Sequence, residues 1–170
     1  MSTFKIPLNY FNKSSIELEI KNIGNIKDCS IKQSDTPGSV RVIVSCPGEL
    51  TSEELEGIKK AFPQIELFGV KIRFEYAKKT HVSIKVKANV DSIFDEVSQK
   101  QEIYDNIYEI LTRNKINYNI SLDEIRKAAL KIDSVQSVEI SGTNVLGDCI
   151  LCDGDGYILL DNLEVELYEC

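Results

Sequence analysis

Cys149 and Cys152, in the run GDCILCDGDG, are the residues of this chain whose types and spacing come nearest to chemistry. A C-x-x-C pair supplies half of a zinc site or one redox dithiol. Zinc needs four ligands converging at about 2.0–2.3 Å, and the sequence offers neither a second C-x-x-C nor paired histidines, since His81 is its one histidine. A strand over 149–152 would also send the two thiols to opposite faces. The residues therefore favour ordinary buried or edge cysteines, with a metal or dithiol site as the rival.

Asp153 and Asp155, interleaved with glycines in CDGDGY, resemble the start of a calcium-binding loop. Counting from Asp153, Glu164 falls at the twelfth position, where a bidentate carboxylate belongs. The sixth position is Ile158 where the loop needs glycine, and the fifth is the apolar Tyr157, so an Asp-Gly hairpin turn is the better reading. His81 opens a strand with no nucleophile motif near it. No G-x-S-x-G, P-loop or G-x-G-x-x-G is present, so nucleophilic catalysis and phosphate cradling have no foothold. The expectation is a protein that is not an enzyme and that carries no catalytic residues, no metal and no cofactor. The basic cluster Lys78, Lys79, Lys85 and Lys87 would suit a phosphate or an acidic partner, but reads more simply as the solvated side of an edge strand, where lysines discourage stray pairing.

The elements around these residues follow from composition and periodicity. With 42% apolar residues in 170 there is material for a core. No apolar run approaches the roughly 20 residues of a membrane span, and the start MSTFKIPLNYF is unlike a signal peptide, so a soluble intracellular protein is expected. The formal charge of −7 repels phosphate backbones on average. Five cysteines, odd in number and unevenly spread, do not form the framework of a disulfide-stapled secreted domain.

Residues 1–13 mix Phe4, Ile6, Leu8, Tyr10 and Phe11 around Pro7 without helical period and read as an extended arm. Ser14 or Ser15 can cap a short helix over IELEIKNI, with Gly24 placed to end it, and a strand fits 26–32. After the turn SDTPGS, Val40, Val42 and Val44 alternate as a strand. Thr51 with Glu54 forms a capping box, and Leu55, Ile58, Ala61 and Phe62 recur at helical spacing up to Pro63. Phe68, Val70, Ile72, Phe74 and Tyr76 alternate with Lys71, Arg73 and Glu75, and a clearer alternation runs through THVSIKVKANV. AKKT between those two strands marks the boundary of two lobes, 14–77 and 78–170.

In the second lobe Val97, Ile103, Tyr104, Ile107, Tyr108, Ile110 and Leu111 form an amphipathic stripe over about 96–113. Ser121 with Glu124 caps a shorter helix whose inner face is Leu122, Ile125, Ala128, Ala129 and Ile132. Strands follow at 135–141, 146–151 and 156–160, and a last one carries Leu163, Val165 and Leu167. Ile23, Ile26, Cys29 and Ile31 share their offsets with Ile132, Val135, Val138 and Ile140, as though one helix-to-strand transition were used twice. The fold class is α+β: two small mixed lobes, each a short sheet packed by one or two helices.

This order of elements, from TPGSVRVIVSCPGELTSEELEGIKKAF through GVKIRFEYAKKTHVSIKVKANV to IYDNIYEILTRNKINYNISLDEIRKAALKIDSVQSVEI and GYILLDNLEVELYE, resembles the middle and C-terminal domains of the baseplate J-like family, wedge subunits of contractile phage tails. The likeness covers roughly residues 14–169 and rests on order and spacing. It implies a scaffold of a phage-tail or tail-like baseplate, assembled in the bacterial host cytoplasm, that associates with other wedge proteins and with copies of itself. No small-molecule substrate, nucleic acid or membrane is implied, and the family carries no catalytic residues. Family members are usually about twice as long, which leaves a miniature subunit, a fragment or an adaptor.

The residues expected to make protein contacts are Phe4, Ile6, Leu8, Tyr10 and Phe11 of the arm, whose apolar side chains must cover something, and Tyr157, Leu163, Val165 and Leu167 of a charge-alternating hairpin over 157–168, whose edge can extend another subunit's sheet. Two rivals stay open. One is a small nucleic-acid-binding module using Lys85 and Lys87, and the other a metal or redox protein using Cys149 and Cys152.

Overall fold

The structure is a computed structural model, and it describes residues 12–62, 70–93 and 95–169. The chain divides into two compact units, Met1–Lys78 and Lys79–Cys170, and the architecture is α+β, with small sheets packed by helices. The arm residues Phe4, Ile6, Leu8, Tyr10 and Phe11 lie outside the described residues, as do Pro63 and Phe68.

In the first unit, α1 (Lys13–Lys21) is capped by Asn12, whose side chain accepts from the Ser15 N–H, and not by either serine. Both serines fall inside the first turn, and Asn12 is the nearest upstream side chain that can reach a free N–H. The chain turns at Asn22 to Gly24 (φ +48°) into β1 (Asp28–Gln33). β2 (Ser39–Ser45) pairs antiparallel with β1, α2 spans Ser52–Lys60, and β3 (Lys71–Tyr76) pairs with β2 in parallel. The capping box of α2 is complete: Thr51 Oγ1 accepts from the Glu54 N–H, and Glu54 Oε2 accepts from the Thr51 N–H at 2.7 Å. The second Glu54 oxygen accepts from the Asn25 N–H at 3.0 Å, so one carboxylate ties the helix start to the turn that feeds β1. Ile20, Ile26, Ile31, Val42, Val44 and Ile58 lie in this unit's core.

In the second unit β4 (Lys79–Val90) is the centre of a sheet ordered β6-β4-β9. α3 spans Glu96–Leu111, β5 is Ile120–Ser121, α4 is Leu122–Ala129, and β6 is Val135–Gly142. The two-residue strands β7 (Val145–Leu146) and β8 (Cys149–Ile150) make a small sheet with β5, in the order β5-β8-β7. β9 (Tyr157–Glu169) runs parallel to β4. The core gathers Val82, Ile84, Val86, Ala88 and Val90 from β4, Ile103, Ile107 and Leu111 from α3, and Ile125 and Ala129 from α4.

Several expectations are corrected here. The lysine-bearing strand is central rather than an edge, because strands pair along both its sides. The expected hairpin over 157–168 is one continuous strand: Val82 pairs with Leu160 and Ser83 with Asn162, leaving Asp161 as an extra, bulged residue. A bulge shifts side-chain parity by one, so the inward set changes from Ile158 and Leu160 to Leu163, Val165 and Leu167, which in sequence looks like two strands around a DN turn. Val97 is 79% exposed and leaves the α3 stripe. Ser121 caps α4 but accepts from the Asp123 N–H, while Glu124 is drawn to Arg113 and Tyr118 instead of closing the box.

Candidate interaction surface

The alternation of β4 and β9 sets one apolar face on the core and one polar face outward. On the outward face β4 presents Ser83, Lys85, Lys87 and Asn89, β6 presents Ser137, Glu139 and Ser141, and β9 presents Glu164, Glu166 and Tyr168. Register places Lys87 between Glu139 on one side and Glu166 on the other, so charge alternates in sign from strand to strand across the sheet. Lys85 Nζ sits 2.5 Å from Glu166 Oε1 and 3.6 Å from Glu164 Oε1, and Lys87 lies over the Tyr168 ring at 5.7 Å. The Glu166 hydrogen bond raises the Lys85 pKa, and the Lys85 ammonium lowers that of Glu166. The lysine column is thus spent on neighbouring strands and does not stand as an open basic stripe.

β9 is an edge strand: β4 pairs along one side of it, and among the described residues no strand pairs along the other. Tyr157 is 1% exposed and Leu163 8%, while Val165 and Leu167 are half-buried; Leu163, Val165 and Leu167 pack on the core of this unit. What thirteen residues of β9 offer outward is a row of backbone N–H and C=O groups, flanked by the carboxylates of Glu164 and Glu166. The sequence suggests that the edge of a hairpin over 157–168 can extend another subunit's sheet; the structure makes that segment one strand and leaves this backbone row along it. Edge status is a property of topology, and no local signal carries it.

β3 is the corresponding edge of the first sheet. Ile72 and Phe74 face that unit's core, while Lys71 and Arg73 are exposed on the opposite face and form no ion pair among the described residues. Glu75, next along, is held by Arg41, whose Nη2 lies 2.6 Å from its Oε2.

The cysteine loop gathers little chemistry. Cys149 belongs to β8 and Cys152 lies just beyond it, its N–H donating to Asn119 Oδ1 at 2.8 Å. Burial pushes the Cys152 thiol pKa up, against hydrogen bonds from Thr80 and the backbone that pull it down. No group of three or more His, Cys, Asp or Glu side chains converges as a metal site among the described residues. The DGDG segment is a tight turn, closed by the Gly156 N–H donating to the Asp153 C=O at 2.7 Å, but it joins strands of two different sheets and makes no hairpin. His81 Nδ1 contacts Asp161 Oδ1 at 2.8 Å, both exposed, which gives the bulged aspartate a partner and the histidine a surface role. Among the described residues no helix is long and apolar enough to cross a membrane.

No known protein family matches the sequence, and no curated protein does. Among solved structures the chain is similar to a chain of the anti-feeding prophage baseplate, solved by cryo-electron microscopy with sixfold symmetry, at a TM-score of 0.57 and 10% identity. The match covers 91% of this chain and 39% of that one. The chain thus shares the fold of about two fifths of that baseplate chain.

Proposed function

We propose that the chain is a structural, non-catalytic component of the baseplate of a contractile phage tail or tail-like particle, a wedge subunit of the baseplate J-like kind. It works by interface burial, with other wedge proteins and copies of itself as partners, and takes no small-molecule substrate, nucleic acid or membrane. Assembly takes place in the bacterial cytoplasm. The observation that carries this reading is the agreement in fold, over 91% of the chain, with a chain from a tail-like baseplate. The resemblance in element order supports it independently, as does the presence of two edge strands flanked by charge. The nucleic-acid reading finds no support in the lysine column, since Lys85 already pairs with Glu164 and Glu166.

The test is co-expression of the tagged chain with the tube, sheath and wedge proteins of its own particle, followed by affinity purification and electron microscopy. The reading expects co-purification of baseplate proteins and density for the chain at the tail end. A chain that binds no tail protein and is missing from purified particles would refute it.

A further inference from the structure

We propose that the β9 edge of one copy docks the β3 edge of a second copy, joining the two three-stranded sheets into one sheet ordered β1-β2-β3:β9-β4-β6. Within a single chain these strands belong to separate sheets. Both are unpartnered on one side among the described residues, and their side-chain patterns are complementary. β9 carries Glu164 and Glu166 on its outward face and Val165 and Leu167 inward, while β3 carries Lys71 and Arg73 outward and Ile72 and Phe74 inward.

Laid antiparallel with Ile72 beside Val165, the strands bring Lys71 next to Glu166, Arg73 next to Glu164, and Glu75 next to the neutral Asn162. Laid parallel in the same alignment, they bring Lys71 next to Glu164, Arg73 next to Glu166, and Glu75 next to Tyr168. Either direction sets cation against carboxylate and continues the alternation of sign already present from β6 to β4 to β9. The competing pairings are worse. β9 against a second β9 faces Glu164 with Glu166, and β3 against a second β3 faces Lys71 with Arg73 when centred on Ile72, or Arg73 with itself when centred on Arg73, where two Lys71–Glu75 pairs offset part of the repulsion. β6 offers a single carboxylate, Glu139, and β1 alternates Asp28 with Lys32.

A contact between two different edges is heterologous, so each copy keeps one edge of each kind free for the next, and assembly continues to a ring or a filament. A six-residue strand buries less than the roughly 1,600 Å² of a standard stable interface. The association is therefore concentration-dependent and weakened by salt. This deepens the interface reading above but fails separately from it: a chain that joins baseplates only through other proteins would keep that reading and lose this one.

The test uses two charge-reversed full-length chains, one carrying Lys71→Glu with Arg73→Glu, the other Glu164→Lys with Glu166→Lys. Sedimentation velocity over a concentration series at low salt reads association, and circular dichroism checks that each variant is folded. Wild type is expected to form species larger than a dimer. Each variant alone should associate about tenfold more weakly, and an equimolar mixture of the two should recover wild-type association, because the acidic β3 of one meets the basic β9 of the other. Because Glu166 pairs with Lys85, the β3 variant, whose altered residues are exposed and unpaired among the described residues, stands alone if the β9 variant misfolds. Wild type that stays monomeric, variants that associate as wild type does, or symmetric dimers insensitive to both reversals would overturn the proposal.

Discussion

Replacing Gly142 by alanine should destabilise the Lys79–Cys170 unit far more than the same change at Gly147, although both glycines bound the same short excursion from β6. Gly142 pairs with Ile84, and a Cβ built on it overlaps the carbonyl oxygen of Ser83 while standing 2.9 Å from Ile84 Cδ1 and 3.1 Å from Ile84 Cα. Two of these three neighbours are backbone, so β4 and β6 must part. Parting them strains the bond from the Thr143 N–H to the Ser83 C=O (3.1 Å) and that from the Ser83 N–H to Thr143 Oγ1 (2.9 Å). At about 1 kcal/mol for each bond and about 1–3 kcal/mol for forced displacement, less about 0.5–1 kcal/mol regained from the stiffer unfolded chain, the net loss is about 2–4 kcal/mol. At Gly147 nothing lies within 4 Å of the added Cβ, and the cost is that of an alanine at φ +59°, about 1 kcal/mol after the same offset. Urea unfolding of the intact chain, with hydrogen exchange followed in β4 peptides to assign the transition to this unit, measures both. Equal losses, or unchanged β4 protection in Gly142→Ala, would refute the packing argument.

Ile107→Ala should cost about 2–5 kcal/mol, since Ile107 is fully buried, whereas Val97→Ala on the same helix should stay within about 0.5 kcal/mol; denaturant titration of the pair decides whether the α3 stripe faces as described. Thr51→Ala removes the cap of α2 and should cost about 1 kcal/mol by the same titration. The Glu54 pKa is lowered, first by the Thr51 N–H and then by the Asn25 N–H. The stability it contributes is therefore complete above the ordinary carboxylate pKa and lost as pH falls through the lower folded value. The gap between wild type and Glu54→Gln should accordingly close on acidification, and a pH-independent gap would count against the tie. Burial pushes the Cys29 thiol up to about 12, so iodoacetamide at mildly alkaline pH should alkylate Cys149 well before Cys29, as read by peptide mass spectrometry.

Where sequence expectation and fold agree, the signal is local. The Thr51/Glu54 box, the inner face of α4 and the alternation of β4 each depend on residues within one or two turns or strand steps of each other. Where they part, a distant residue decides. Glu124 would close a box with Ser121 on spacing alone, but Arg113 and Tyr118 claim its two oxygens. The parity break at Asp161 is set by Val82 and Ser83, some eighty positions earlier, so a strand that reads as a hairpin is continuous. The candidate surface was legible only in part. The acidic alternation of β9 and the basic alternation of β3 stand in the sequence, yet that each lies at an edge, and that the Lys85 strand lies between two others, is fixed by pairings no window can contain.

The repeated spacing of Ile23, Ile26, Cys29 and Ile31 with Ile132, Val135, Val138 and Ile140 has a geometric counterpart. Ile23 N–H donates to Ile20 C=O at 3.0 Å and Ile26 N–H to Ile23 C=O at 3.1 Å; Ile132 N–H donates to Ala129 C=O at 3.2 Å and Val135 N–H to Ile132 C=O at 2.9 Å. Two successive tight turns thus lead α1 into β1 and α4 into β6. Each fed strand lies antiparallel to the centre of its sheet, and a parallel strand occupies the far side, β3 in one sheet and β9 in the other. Chain order differs, since β1 precedes its centre strand and β6 follows its own, so a helix-turn-strand unit is reused while the lobes are not tandem copies. The two edges invoked for self-assembly are therefore equivalent places in two similar sheets. Equivalent edges without charge could pair like with like and close as symmetric dimers. Opposite charge on them penalises both like pairings and leaves the head-to-tail one, which is how a difference of a few side chains turns a self-limiting contact into one that propagates.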